Sequence, residues 1–131
     1  MIDLKKSMNT SQYAAATTIY GPVLALAGAG SGKTRMLTYR IAGMIDKGIN
    51  PARILAVTYT NKAAREMKER VEKLLGTANT PVTLSTFHSF GFRIVRDHYS
   101  ELGFSHRISI CDDKNQKQII KKLLSNVKLS E

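Results

Sequence analysis

Cysteine is scarce in this sequence, and its few histidines are not clustered. Cys111 is the only cysteine among 131 residues, and the three histidines are His88, His98 and His106. A single cysteine excludes an intrachain disulfide framework and any zinc site built from several cysteines, and the histidines lack the spacing of metal ligands. We expect Cys111 to be a buried or half-buried thiol without a chemical role.

Long apolar runs are also absent. No stretch approaches the ~18–20 apolar residues of a membrane-spanning helix. Residues 1–6 are not followed by the apolar region of a signal peptide, and no internal repeat or low-complexity tract is visible. These absences predict a cytoplasmic protein without a membrane partner.

Acidic residues are scarce. The sequence contains ten Asp and Glu residues and twenty Lys and Arg residues, which gives a formal net charge of +10. This charge favours polyanionic partners, and nucleic acid is only one of them, because basic domains also bind other anions. The basic residues are spread along the chain, which is typical of a structured surface. With 43% hydrophobic residues, the chain has room for one globular domain with a core.

The most informative motif is a phosphate-binding loop between a predicted strand at residues 23–26 and a predicted helix at residues 34–47. Its small residues let backbone N–H groups turn inward around anionic oxygens at a helix N-terminus. Its lysine would reach the β- and γ-phosphates, and its threonine hydroxyl would ligate Mg²⁺. Alanine stands where the motif begins with glycine, and its methyl group is tolerated if φ is negative. The loop, called the P-loop below, consists of Ala27, Gly28, Ala29, Gly30, Ser31, Gly32, Lys33 and Thr34.

Strands and helices alternate along the chain. Apolar runs predict strands at residues 23–26, 54–60 and 82–85, the second covered on both faces. Helical periodicity predicts helices at residues 34–47 and 86–102. It predicts two further helices, one that begins at the N-cap Asn61 and ends at Gly76, and one that begins after the N-cap Asp112. This alternation predicts an α/β fold in which helices cover a right-handed parallel sheet. The last helix has an apolar side without an obvious partner, formed by Ile119, Ile120, Leu123, Leu124 and Val127. The domain is therefore expected to be unfinished at its C-terminus.

Polar residues follow the second and third predicted strands, where open α/β sheets place their binding residues. Tyr59 could stack a nucleic-acid base while Thr60, Asn61 and Lys62 hold phosphates; the alternative is a buried tyrosine before a capped helix.

The third strand ends in a similar arrangement. Thr86 and His88 could contact sugar or phosphate while Phe87 packs inward, and the alternative there is a capped helix with one partly exposed histidine.

Four motifs in order resemble the N-terminal part of the Rep/UvrD/PcrA helicases, Rep most closely. They are Met8-Asn9-x-x-Gln12, the run at 26–35 that ends in Arg35, the run Ala-Val-Thr-Tyr-Thr-Asn-Lys-Ala-Ala-Arg-Glu-Met-Lys-Glu-Arg at 56–70, and Ser-Thr-Phe-His at 85–88. The resemblance implies a three-layer RecA-like P-loop NTPase fold. Residues 1–110 would be the N-terminal part of the first motor domain, and residues 111–131 the start of an inserted helical subdomain.

The resemblance also implies residue roles and ligands. Gln12 would read the adenine edge of ATP and Arg35 would pack against the base, with Mg²⁺ as the second cofactor. The segment from Tyr59 to Lys62, together with Thr86 and His88, would touch single-stranded DNA at duplex junctions. The implied activity is ATP-dependent 3′-to-5′ DNA unwinding.

The remaining parts of the family's machinery are expected beyond residue 131. These are the Asp-Glu metal motif, the water-positioning glutamine, the arginine fingers and the second motor domain, so the chain alone should hydrolyse little ATP. Two alternatives stay open. The chain could be a non-catalytic nucleotide-binding or nucleic-acid-binding module, or a small self-sufficient P-loop ATPase or kinase that uses Asp112 for its metal.

Overall fold

The computed structural model describes residues 3–126. These residues form six α-helices, two β-strands and a short 3₁₀ helix at Pro51–Arg53. The chain divides into two compact units, and the boundary between Phe90 and Gly91 lies within the fifth helix. The α-helices are α1 Leu4–Ser7, α2 Thr10–Thr17, α3 Lys33–Asp46, α4 Asn61–Leu75, α5 Phe87–Asp97 and α6 Asp113–Asn126, and the strands are β1 Leu55–Thr58 and β2 Thr83–Thr86.

The two strands are parallel neighbours joined through α4. Leu55 pairs with Thr83 and Thr58 pairs with Thr86, so both strands end at the same level of the sheet. Two parallel strands need a crossover of this kind, because the chain must return to the end of the sheet at which the first strand began. The predicted α/β class is therefore confirmed, with a small parallel sheet.

Local sequence signals set the ends of α4. Thr60, in an extended conformation, accepts a hydrogen bond from the Ala63 backbone N–H at 3.1 Å and caps the helix, and Gly76 ends it in the left-handed region. The prediction of Asn61 as N-cap was wrong by one residue. The Thr60 hydroxyl reaches the backbone N–H three residues on, so Asn61 becomes the first helical residue.

One apolar cluster holds the helices to the sheet. Ile41 of α3, Met67 and Val71 of α4, and Ile54 and Val82 beside the strands are all buried, and Val71 is fully so. Burying a side chain of this size contributes ~1.5–3 kcal/mol. This cluster fixes α3, which begins with the P-loop lysine, relative to α4 and the strands.

The segment before the P-loop is not a strand, contrary to prediction. Leu24 and Leu26 are 84% and 87% exposed, and residues 22–28 make no strand pairing within the described part of the chain. An apolar segment becomes a central strand only when ladders form on its edges and other elements cover its faces. The two strands of residues 3–126 pair with each other instead.

Other predictions were partly wrong. Leu55 is 47% exposed, so β1 is not covered on both faces. The third predicted helix is shorter than expected, because Thr86 remains in β2 and the helix ends at Asp97. Cys111 is exposed rather than buried.

The second unit contains α6. Asp112 accepts a hydrogen bond from the Asn115 backbone N–H at 2.8 Å, which confirms it as the N-cap. Ile119, Ile120 and Leu123 are more than half exposed, as is Leu124, while Val127 lies outside the described residues. None of the helices within residues 3–126 has the length and apolar character needed to cross a membrane.

Candidate nucleotide-binding site and aromatic surface

The P-loop turns at two glycines whose backbone angles side chains rarely adopt. Gly30 has φ of 73° and Gly32 has φ of 81°. Ala27 lies outside this left-handed region, because Asn79 is the sole non-glycine with positive φ in the described part of the chain. Alanine at the first motif position is therefore compatible with the turn, as the sequence predicts.

Lys33 folds back over the P-loop. Its Nζ donates hydrogen bonds to the carbonyl oxygens of Ala27 at 2.8 Å and Gly28 at 2.6 Å. The Ser31 hydroxyl donates to the Gly28 oxygen at 2.7 Å. Three hydrogen bonds from two side chains thus hold the loop in a closed turn, and Lys33 remains exposed.

The loop leads directly into the N-terminus of α3. Gly32 is the N-cap and has no side chain to accept from the first turn, while the Met36 N–H makes the first helical bond to the Gly32 oxygen at 2.9 Å. The first N–H groups of a helix have no partner within it, and the helix dipole gives this end a partial positive charge. An anion therefore fits beside Lys33, at the start of α3.

Gln12 joins this loop from α2. Its Nε2 donates to the Ser31 carbonyl oxygen at 2.8 Å, and a Cβ placed on Gly32 would lie only 3.1 Å from that Nε2. A cleft of ≈ 220 Å³ lies here, lined by residues that include Gln12, Ser31 and Lys33. The structure therefore brings the predicted adenine-reading glutamine and the phosphate-binding lysine to one cleft.

Arg35 and Thr34 are both exposed on the first turn of α3. The Arg35 guanidinium carbon lies 5.7 Å from the centre of the Tyr39 ring, one turn further along the helix, which is within cation–π range. A hydrogen bond with Ser7 lowers the pKa of Tyr39 below its ordinary value of 10.0, partial burial opposes this shift, and Arg35 lowers the pKa further. The Thr34 hydroxyl makes no hydrogen bond within residues 3–126.

The helix that holds Gln12 is fixed at both ends. At its N-terminus, Asn9 and Gln12 form a capping box, in which each side chain bonds the other residue's backbone N–H. At its C-terminus, Arg40 Nη1 donates to the carbonyl oxygens of Ala15 and Thr18. Since Arg40 belongs to α3, α2 and the P-loop helix are tied together.

An aromatic pair lies where the two strands end. Tyr59 follows β1 and Phe87 follows β2, and the level ends of the strands bring the ring centres to 5.9 Å at an interplanar angle of 56°. Tyr59 is 88% exposed and Phe87 55% exposed. The expectation that Phe87 packs inward was wrong, because as the first residue of α5 it lies beside the Tyr59 ring at the surface. We call this pair, together with Lys62 and His88, the aromatic surface.

The residues around the Tyr59–Phe87 pair differ in what they can contact. Asn61, Lys62 and His88 are exposed, and Lys62 makes a 4.0 Å ion pair with Glu66. Thr86 is 5% exposed, and its hydroxyl donates to Ser89 Oγ at 2.9 Å and accepts from the Ser89 N–H at 3.1 Å. The Thr60 and Thr86 hydroxyls therefore hold the first turns of α4 and α5.

Sequence reasoning missed two features of these sites. The capping box could have been found, since asparagine followed three residues later by glutamine is its known pattern. The residues joined by the hydrogen bond from Gln12 to Ser31 are 19 positions apart, and no local sequence pattern predicts it.

Within residues 3–126 no group of three or more His, Cys, Asp or Glu side chains could hold a metal ion, and the Asp112 carboxylate is engaged as a helix cap.

Most of the chain is similar in sequence to known proteins. Residues 8–131 match the family model described as UvrD/REP helicase N-terminal domain. The chain is 50% identical over 124 residues to the "ATP-dependent DNA helicase PcrA" of Staphylococcus aureus (strain Mu50 / ATCC 700699), and 48% identical over 124 residues to the protein of the same name from Staphylococcus epidermidis (strain ATCC 12228 / FDA PCI 1200). Each alignment covers 94% of this chain but 17% of the relative, so the chain spans about one sixth of the length of these curated relatives.

The family predicted from the four motifs is therefore confirmed, while Rep as its most similar member stays a prediction. The matched residues include both the cleft at the P-loop and the aromatic surface. The chain belongs to the UvrD/REP helicase N-terminal domain family.

Proposed function

We propose that this chain is the N-terminal ATP-binding and single-stranded-DNA-contacting part of an ATP-dependent 3′-to-5′ DNA helicase. The observation that carries the proposal is the cleft in which Gln12 and Lys33 lie together at the start of α3. The PcrA relatives are ATP-dependent DNA helicases by name, and the proposal extends that description to this chain. The three-layer RecA-like arrangement and a cytoplasmic location belong to the same proposal.

The phosphate groups of ATP fit the P-loop. Lys33 supplies a positive charge, and the uncapped first turn of α3 supplies backbone N–H donors and the positive end of a dipole. Thr34, with its exposed hydroxyl, would hold Mg²⁺, which would neutralise charge on the β- and γ-phosphates. No further metal ligand is assigned within this chain.

The adenine base is assigned to Gln12 and Arg35. An amide carries both a donor and an acceptor, which matches the adjacent N6 amino group and N7 of adenine. Arg35 presents a planar guanidinium that packs on π-systems, as its position over the Tyr39 ring illustrates. ATP binding rather than unselective triphosphate binding follows from this pair.

Single-stranded DNA is assigned to the aromatic surface. Tyr59 and Phe87 have exposed rings on which bases would stack, and the exposed side chains of Lys62, Asn61 and His88 would contact phosphate and sugar. Thr60 and Thr86, both predicted DNA contacts, support this surface as helix caps. Duplex junctions, as substrates of the complete enzyme, are part of the proposal.

The domain boundary is also proposed. Residues 1–110 would belong to the first motor domain and residues 111–131 to an inserted helical subdomain, and ATP hydrolysis would need parts of the enzyme beyond this sequence. The family match favours this function over a self-sufficient ATPase that uses Asp112.

Nucleotide binding and turnover test the proposal. Titration calorimetry with Mg·ATP should detect binding to the chain and at least a tenfold weaker affinity for Lys33→Ala, because charge-assisted hydrogen bonds contribute about 1.5–3 kcal/mol each. Lys47→Ala, at the opposite end of α3, is the matched control and should bind normally. Steady-state ATP hydrolysis, with and without single-stranded DNA, should be low. Robust hydrolysis that Asp112→Ala abolishes would refute the helicase-segment assignment.

A further inference from the structure

The Gln12 side-chain amide is held in one orientation by two hydrogen bonds. Its Oε1 accepts from the Asn9 backbone N–H at 3.2 Å, and its Nε2 donates to the Ser31 carbonyl at 2.8 Å. The Asn9 Oδ1 in turn accepts from the Gln12 backbone N–H at 2.9 Å. Because an N–H group binds one end of the amide and a carbonyl binds the other, rotating the amide by 180° would break both bonds.

The two bonds leave a defined capacity for a ligand. A glutamine amide has two N–H donors and two acceptor positions on its oxygen. One of each is used here, so one donor and one acceptor remain. Adenine presents a donor at N6 beside an acceptor at N7, whereas guanine presents acceptors at both O6 and N7. The orientation of the amide therefore matches adenine and mismatches guanine.

We infer that Asn9 is a positioning residue for adenine selectivity, acting through the Asn9–Gln12 capping box. The inference rests on the proposed function, in which Gln12 reads the base. Asn9 fixes the amide from the helix side and Ser31 fixes it from the P-loop side. The other end of α2 is held by Arg40, so a change at Asn9 alters the amide while the helix stays attached to α3.

Asn9→Ala removes the Oδ1 acceptor and weakens the cap, which frees the first turn of α2 and the Gln12 side chain with it. Asn9→Ser restores an N-cap hydroxyl that can accept from the same Gln12 N–H. Thr10→Ala is a matched control, because Thr10 is exposed, lies in the same turn and makes no side-chain hydrogen bond among residues 3–126.

The affinities of the 131-residue protein and these variants for Mg·ATP, Mg·GTP and Mg·tripolyphosphate test the inference, with helix content monitored by circular dichroism. Tripolyphosphate has no base and reports on the P-loop alone. Asn9→Ala should lower the ratio of ATP to GTP affinity by about three- to tenfold, the size of one net hydrogen bond. Its tripolyphosphate affinity should stay within about twofold of the parent's, on the same scale. Asn9→Ser should restore the ratio, and Thr10→Ala should leave it unchanged.

Three outcomes would contradict the inference in different ways. An unchanged ATP-to-GTP ratio in Asn9→Ala would overturn the role of Asn9 while leaving the proposed function intact. An equal loss for all three ligands would show that Asn9 acts on the P-loop and not on base selection, and it too would overturn the inference. A parent protein that binds ATP no better than GTP or tripolyphosphate would overturn both the inference and the adenine assignment.

Discussion

The rings of Tyr59 and Phe87 lie 5.9 Å apart although 28 positions separate them in sequence. Their proximity follows from the strand register, because Thr58 pairs with Thr86 and each aromatic residue directly follows one of these threonines. The tilt of 56° leaves parts of both rings open to solvent, in agreement with their exposure. Both rings are therefore exposed at the edge of the sheet where the two strands end.

Removing the Tyr59 ring should weaken binding to single-stranded DNA. Base stacking on an aromatic side chain contributes about 1–3 kcal/mol, so Tyr59→Ala should raise the dissociation constant of a labelled oligonucleotide by about 5- to 150-fold in fluorescence anisotropy. Tyr59→Phe keeps the ring and should bind nearly as well as the parent. Tyr20→Ala is the control, since Tyr20 is 91% exposed and belongs to neither proposed site. Equal affinities for Tyr59→Ala and Tyr20→Ala would rule out stacking at Tyr59.

Lys62 should contribute to DNA binding through charge. A contact between one lysine and one phosphate releases counterions, so Lys62→Ala should reduce the slope of log affinity against log salt by about 0.7 for single-stranded DNA. The 4.0 Å pair with Glu66 is too long and too exposed to hold Lys62 away from a phosphate. Lys73→Ala, in the last turn of the same helix, should leave the slope unchanged. If both variants alter the slope equally, the lysine effect is a general one of net charge.

His98 should titrate above its ordinary value. The Glu101 carboxylate, 3.0 Å from Nδ1, raises the pKa of His98 above 6.5 by hydrogen bonding and by charge, burial opposes this slightly, and Asp97 adds a further increase. Because the folded-state pKa is the higher one, the stabilisation is complete below the unfolded pKa and is lost as pH rises through the folded pKa. Titration of the imidazole signals by NMR should show this shift.

Replacing the two carboxylates near His98 should separate their effects. Glu101→Gln should return the His98 pKa most of the way to 6.5, and Asp97→Asn should lower it by less, since Asp97 is the smallest of the causes. A His98 pKa at or below 6.5 in the parent protein would mean that the Glu101 contact does not persist in solution.

Val71 should be among the most sensitive core positions in the chain. It is fully buried against the cluster that joins α3, α4 and the strands. Val71→Ala removes two methyl groups' worth of contacts and should lower the free energy of unfolding by about 1–3 kcal/mol in urea titrations. Val23→Ala is the comparison, because Val23 is 42% exposed and should change stability little. Similar losses at both positions would mean that Val71 is not a core residue in solution.

The sequence predicted best those elements whose signals are local. The helix α4 carries its own stripe of apolar residues, a cap within one residue of the predicted one, and a glycine at its end. The turn of the P-loop also follows from a local signal, because glycine permits the positive φ that Gly30 and Gly32 adopt. Asp112 was found as a cap for the same reason, since its acceptor reaches only three residues along the chain.

The predictions that failed depend on distant residues. Whether residues 23–26 form a strand depends on ladder partners elsewhere in the chain, and apolar character alone does not supply them. The position of Phe87 at the surface depends on its contact with Tyr59, and the pairing of the two strands brings these residues together. The hydrogen bond between Gln12 and Ser31 likewise depends on the packing of α2 on α3. Both residues could be predicted from the sequence, but the bond between them could not.

Lys33 folds back over the P-loop with one of its N–H groups left over. An ammonium group has three N–H donors, and the Ala27 and Gly28 carbonyls take two of them. The third N–H group can donate to an incoming phosphate oxygen while the other two bonds stay in place. We therefore expect an anion to bind Lys33 without rearrangement of the loop backbone.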